Sequence, residues 1–290
     1  MYKPPFKLAR IAGKGEGIIS VREISYGELI LQEQPIMTQK NTFSNLTTDE
    51  QKLVMGLHDS HEKNGNKTFK GIYDTNSCTI CNFEAGLFIT LSKFNHSCVP
   101  NIASMYVNPY LRVYATRKIK VDEELCFCYY GKFTDYIERQ KNLSLRWGFT
   151  CYCELCKKQS LERNNIEQAR IEYKELNLEI KMCNDFSRIK FLQNLRLRKI
   201  IEGWLLDPIR KYDYHLSMAG VQENLGNLEE SRRHTGHALG EAKIIYGDDF
   251  WMVRLLTKYF DGNLNHRQFV SIFKTFIDQC CCSHLSFRLI

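Results

Sequence analysis

The chain has 290 residues, 43% of them apolar and 25% charged, so it can bury a sizeable core and has neither a disordered nor a collagen-like composition. At about 100–200 residues per domain, the length predicts two domains. Forty Lys and Arg against 33 Asp and Glu give a formal charge of +7 with no run of five or six like charges, which argues against a nucleic-acid-binding tail.

Residues 6–37 predict short strands, because FKLARIA, GIISVREI and ELILQEQPIM alternate or run apolar and are broken by Gly13-Lys-Gly-Glu-Gly17. Residues 47–58 predict a helix, with Thr47 or Thr48 as cap, Glu50 in the first turn, and Leu53, Val54 and Leu57 on one face. The polar stretch 58–70 reads as an exposed loop. Strands are predicted at 87–94, 111–119 and 124–130, and a helix at 136–149 runs into a cysteine-rich turn. Beyond residue 156 the pattern turns helical, punctuated by Pro208 and the glycines at 220, 226 and 247. Residues 213–246 have the length and pattern of one TPR-like helical hairpin of roughly 34 residues, turning at Gly226–Asn227. The predicted division is therefore 1–156, mostly strand and loop with a short insert at about 38–75, and 157–290, all helical.

Twelve cysteines are present, none before residue 78. The N-terminus carries no signal-like apolar region and no run of 18 apolar residues occurs, so the expectation is a reducing setting, cytoplasm and/or nucleus, with no membrane partner. Cys151-Tyr-Cys-Glu-Leu-Cys156 puts three thiols within six residues. Zinc takes four ligands in a tetrahedron at about 2.3 Å from sulfur, and such a turn supplies three corners. With three thiols and no His in the stretch, a closed structural site is favoured over a catalytic one. The leading fourth ligand is Cys98, in the compact segment Asn95-His-Ser-Cys-Val-Pro-Asn101, which would staple two segments some fifty positions apart. Cys78 and Cys81 form a further CxxC pair, for which Cys126, Cys128 and His96 are conceivable co-ligands. Core packing is the favoured role of Cys126 and Cys128. Cys280–Cys282 receive no role. The glycine stretch fits neither the dinucleotide fingerprint nor the Walker pattern, and by itself is equally a hairpin turn.

Taken together and in order, Gly15–Gly17, Asn95–Asn101, Asp122-Glu-Glu-Leu-Cys-Phe-Cys-Tyr129 and Cys151-x-Cys-x-x-Cys156 resemble the SET-domain protein lysine methyltransferases. The resemblance is nearest to the branch of the SMYD proteins and their fungal relatives. It covers residues 6–156, and the helical remainder is similar to that branch's C-terminal repeat region. It implies an α+β fold of small curved sheets with a pseudoknot and a post-SET zinc site, followed by an all-helical region. The implied cofactor is S-adenosylmethionine, beside one structural zinc. By resemblance Lys14, Gly15 and Glu16 contact the methionine part, Asn95 and His96 the amino acid and adenine parts, Asn76 lines the pocket and Phe149 stacks near the adenine. Tyr129 matches the main active-site tyrosine, and Cys98, Cys151, Cys153 and Cys156 match the zinc ligands.

The chain also departs from that pattern. Residues 38–75 contain no cysteine, so the inserted MYND zinc module of the SMYD proteins is missing. Trp147 stands where many relatives place a second active-site tyrosine, and Cys78 where an animal relative has a channel phenylalanine. With Tyr129 these two are the expected channel wall. The implied activity is methyl transfer to a neutral lysine amine of a protein, histone or non-histone. The alternative is an inactive SET-fold binding module or scaffold. Residues 1–150 carry 19 Lys and Arg against 15 Asp and Glu, which is no acidic face for a basic tail. The helical half is expected to wall the substrate groove. Oligomeric state is not readable from the chain.

Overall fold

The structure, a computed structural model, describes residues 3–38, 43–62, 64–80, 84–130, 134–205, 207–265 and 267–272. Cys81 and Cys280–Cys282 lie outside the described residues. The chain divides into two compact units, Met1–Lys132 with Tyr136–Lys157, and Phe133–Asp135 with Lys158–Ile290.

In the first unit β1 (Phe6–Ile11) pairs antiparallel with β2 (Gly15–Ser20), from Phe6↔Ser20 to Ile11↔Gly15. Then follow β3 (Leu29–Glu33), β4 (Met37–Thr38), α1 (Thr48–Met55), α2 (Phe69–Asn76), β5 (Cys78–Thr79), β6 (Ala85–Leu87) and β7 (Asn95–His96). The unit is completed by β8 (Ile102–Val107), β9 (Tyr110–Ala115), β10 (Cys126–Phe127), α3 (Tyr136–Trp147) and α4 (Glu154–Lys157). Its sheets are small: β3-β9-β8, β4-β6-β5, the β1-β2 hairpin, and the parallel pair β10-β7. One core gathers Ile18, Ile24, Ile30, Phe88, Phe94, Val113, Ile119 and Leu125, and a second gathers Met37 and Leu87 with Val54, Leu57 and Ile72. Each such side chain contributes about 1.5–3 kcal/mol by leaving water. All of the side chains named in the first core except Leu125 are β-branched or aromatic, and such stiff side chains pack well on a pleated surface.

Two local readings need correction. The stretch 87–94 starts as β6 but leaves the strand after Leu87 and makes a 3₁₀ turn at Leu91–Lys93. The Glu33 carboxylate accepts the backbone N–H groups of Thr90 (2.8 Å) and Leu91 (3.0 Å), which bends the chain away from extended pairing. The polar loop is shorter than expected, because Thr68 accepts the Gly71 N–H at 3.0 Å and so caps α2. Helix α1 has the expected capping box: Thr47 accepts from Glu50 N–H, and Glu50 accepts from Thr47 N–H. The helix ends at Met55, short of the expected 58; Val54 is buried within it and Leu57 just beyond it, whereas Leu53 is 54% exposed.

The second unit contains α5 (Ser160–Met182), α6 (Phe186–Glu202), α7 (Pro208–Asn224), α8 (Leu228–Tyr246) and α9 (Trp251–Phe260). Asp185 caps α6 through the N–H groups of Ser187 and Arg188, and Asp207 caps α7 with Pro208 in its first turn. Helices α7 and α8 form a tight hairpin that buries Tyr214, Leu216, Ala238, Ala242 and Tyr246 and turns at Gly226. Leu228 faces outward, 68% exposed.

Candidate functional site

The parallel β7–β10 pair organises the site. Asn95 lies opposite Cys126 and His96 opposite Phe127, so two segments 31 residues apart in sequence run side by side. Asn101, 3% exposed, ties them further: its Nδ2 donates to the Glu124 carbonyl (2.8 Å) and its Oδ1 accepts the Cys126 N–H (2.8 Å).

Cys98, Cys151, Cys153 and Cys156 are brought together, with all four Sγ atoms within 4.8 Å of one another. Cys98 Sγ lies 3.6 Å from Cys156 Sγ and 3.9 Å from Cys151 Sγ. Gln140 of α3 holds the turn: its Oε1 accepts the Cys151 N–H (2.8 Å) and its Nε2 donates to the Cys151 carbonyl (2.9 Å). Cys151 is drawn towards thiolate by hydrogen bonds from Cys153, Cys156 and Cys98, with a smaller one from His96. Four soft sulfur donors converging in a mostly buried cluster fit a four-coordinate zinc ion.

Beside the cluster stands an aromatic group. The Tyr129 ring lies 5.3 Å from His96, 5.3 Å from Trp147 and 6.4 Å from Phe149, and His96 lies 5.8 Å from Phe149. The Tyr129 hydroxyl donates to the Phe94 carbonyl at 2.6 Å. Burial pushes the phenol above its usual range, and the neighbouring Cys126 and Glu124 add to the shift. The hydroxyl therefore keeps its proton at neutral pH. Trp147 is pinned by an Nε1–H bond to the Thr75 carbonyl (3.0 Å) and by the Arg146 guanidinium 4.7 Å over its ring. Its single donor is thus engaged within the protein. Cys78 packs against the core that holds Phe94, and burial together with Glu33 pushes its thiol up to about 12. Asn76 uses both amide hydrogens on the backbone carbonyls of His58 and Ile72, each at 2.7 Å.

The glycine stretch closes the β1–β2 hairpin. Gly15 has φ +78°, a left-handed conformation that favours glycine, and a Cβ built on it would meet nothing within 4 Å. Gly15 is exposed, and the space beside its α-carbon is empty. At Gly17, by contrast, a Cβ would lie 2.6 Å from Asn95 Nδ2 and 2.6 Å from Ile11 Cγ1. This close approach lets Asn95 donate to the Glu16 carbonyl (3.0 Å) and to Glu124 Oε1 (2.9 Å). Glu124 Oε2 in turn takes Lys14 Nζ at 2.6 Å, and Lys93 pairs with Glu16 at 3.1 Å. For Lys14, burial is the largest single influence and works against the charge, but the Glu124 hydrogen bond and the electrostatic pull of Cys126, Glu124 and Cys151 together outweigh it, and its pKa is raised. Gly17→Ala is expected to cost about 1–3 kcal/mol by overpacking and to displace Asn95. A lowered urea midpoint at unchanged slope checks it, and an unshifted midpoint would show that the contact relaxes freely.

Glu124, Asn101 and Gln140 were not singled out by sequence reasoning. Glu124 and Asn101 stand inside the quoted motifs, but their signal is a long-range pairing that spacing alone does not reveal. Gln140 sits in a helix like any solvated residue.

With this geometry in view, residues 15–130 match the SET domain family model, and the chain carries a SET domain there. Small sheets make up this domain and an all-helical region follows it. Among similar proteins, the histone-lysine N-methyltransferase set5 of Schizosaccharomyces pombe is 32% identical over 173 residues, covering 56% of this chain and 53% of the yeast protein. The histone-lysine N-methyltransferase SMYD3 of Homo sapiens is 35% identical over 167 residues, covering 54% of this chain and 39% of the human protein. The matched stretch thus spans about half the yeast protein's length, and less of the human one. No helix among the described residues is long and apolar enough to cross a membrane.

Proposed function

We propose that the chain is an S-adenosylmethionine-dependent protein lysine N-methyltransferase. The observation that carries the reading is the SET match together with a shielded, hydrogen-bonded Tyr129 set among His96, Trp147 and Phe149. The residues suit the cofactor: Gly15 is exposed with empty space beside its α-carbon, both Asn95 amide hydrogens are engaged so that its Oδ1 remains as an acceptor for an ammonium group, and Phe149 offers a half-buried ring face. Lys14, Glu16 and His96 adjoin them. When bound, S-adenosylmethionine supplies a methyl carbon that its sulfonium already makes electrophilic.

What the protein adds is orientation and a neutral amine. A lysine amine with a reference pKa near 10.4 is almost wholly protonated at pH 7, and an apolar wall lowers that pKa. Trp147, with its N–H held by Thr75, and Cys78, neutral at physiological pH, make such a wall without adding a polar donor. Tyr129, protonated and aimed along Phe94 O, steers the amine rather than deprotonating it. The relatives' printed names extend the substrate class to histones, and other proteins bearing an accessible lysine belong to the same proposal. The cysteine cluster is read as one structural zinc, and cytoplasm and nucleus are the compartments proposed.

The test is incubation of the whole chain with methyl-labelled S-adenosylmethionine and a cell extract, followed by mass spectrometry of labelled proteins. Label on lysine supports the reading. Cofactor binding without any transfer would instead favour a SET-fold scaffold.

A further inference from the structure

The His96 side chain stands between the cysteine cluster and the tyrosine and touches both. It is 3% exposed. Its Nδ1 accepts the backbone N–H of Tyr129 at 2.9 Å, so that nitrogen carries no proton. The ring proton is therefore on Nε2, which faces Cys98 Sγ at 3.3 Å. This is an N–H···S bond onto one of the four sulfurs, the arrangement by which an outer partner orients a metal ligand and fixes its charge. The ring also packs against Tyr129 at 5.3 Å and Phe149 at 5.8 Å.

We infer that His96 is a positioning residue that couples the metal cluster to Tyr129, one ring nitrogen holding the Cys98 thiolate and the other holding the Tyr129 backbone. The inference rests on the zinc reading of the four cysteines and not on methyl transfer. Position explains the directness of the link. β7 places His96 two residues before Cys98, and the β7–β10 pairing puts Phe127, two residues before Tyr129, opposite His96. One imidazole therefore spans from a metal ligand to the backbone that aims the tyrosine hydroxyl at Phe94 O. A shift of Cys98 is transmitted to Tyr129 through a rigid ring, since a buried aromatic in a close-packed interior has little freedom to absorb it.

Two variants separate the two bonds. Asn carries an amide oxygen near the place of Nδ1, so His96→Asn keeps the acceptor for Tyr129 and loses the donor to Cys98. Gln reaches to the place of Nε2, so His96→Gln keeps the donor and loses the acceptor. The experiment uses the whole zinc-loaded chain with two readouts: zinc release to a chromogenic chelator, and amide hydrogen exchange of the peptide carrying Tyr129. For His96→Asn, zinc release is expected to quicken about 10–100-fold with Tyr129 exchange near wild type. For His96→Gln, Tyr129 exchange is expected to rise about tenfold or more with zinc release near wild type.

Equal changes in both readouts for both variants would mean a general loosening of the fold and would overturn the inference. So would variants that leave both readouts at wild-type values. A wild-type chain that holds no zinc after loading overturns the four-cysteine reading together with it. An inactive chain that nevertheless behaves as expected leaves the inference standing while the methyltransferase reading falls, so the two failures are distinguishable.

Discussion

Tyr129→Phe is expected to lower methyl transfer about 100-fold or more while S-adenosylmethionine affinity stays within a few-fold. The substitution keeps the ring, and with it the contacts to His96, Trp147 and Phe149 at 5.3, 5.3 and 6.4 Å. It removes the one hydroxyl of this aromatic set, which donates to Phe94 O at 2.6 Å. Orientation is most of what such a transfer requires of a protein, because the nucleophile has to lie in line with the bond that breaks. The ring nitrogens of His96 and Trp147 are already engaged within the protein, and Phe149 has no polar atom, so the tyrosine carries the one hydroxyl of the set.

The same change leaves the Phe94 carbonyl without its partner, at a cost of about 1–3 kcal/mol for a buried acceptor. A melting curve taken alongside the kinetics separates the effects. A fall in Tm with transfer intact would make Tyr129 a structural residue and sink its catalytic assignment. The pH profile gives a second check. The phenol is shifted upward, so no activity limb in the neutral range should be assigned to its ionisation. A limb that vanishes in the Phe variant would contradict this.

Cys98→Ser is expected to weaken zinc binding by about 10²–10³-fold, from roughly 10–16 kcal/mol of binding energy shared over four thiolates. Elemental analysis of the unaltered chain should give about one zinc per molecule. The variant should lose its metal to a moderate chelator that leaves the parent loaded. Of the four cysteines, Cys98 is the one whose loss would act at the longest range in the chain, since the other three lie together at 151–156. Without it the turn stays anchored to α3 through Gln140, whose bonds to Cys151 do not involve the metal. The expected result is therefore a folded protein with a loosened 95–98 segment and a lowered Tm, not an unfolded chain. If the variant retains zinc as tightly as the parent, the fourth ligand is elsewhere.

The two changes converge on one small region, whose candidate residues and four-cysteine grouping are legible in the sequence. Thiols at CxCxxC spacing, the NHSC segment and the EELCFCY segment are short local patterns, and each residue type has a narrow range of chemical uses. Helix α1 was likewise legible, because the Thr47–Glu50 capping box is a local device. The 87–94 segment was not. Its apolar run suits a strand, but Glu33, more than fifty residues earlier, captures the Thr90 and Leu91 N–H groups and turns the chain. Propensity loses there to a tertiary hydrogen bond.

Composition, cysteine spacing and motif order by themselves determined a strand-rich SET domain, a helical remainder and four thiols suited to one metal. Only the tertiary structure decided that Glu124 joins Lys14 to Asn95, that Thr75 engages the Trp147 N–H, and that His96 spans from Cys98 to Tyr129. The reason is physical. Ligand type and spacing are properties of short stretches of chain, whereas the direction of a buried hydrogen bond depends on which distant segments the fold brings into contact.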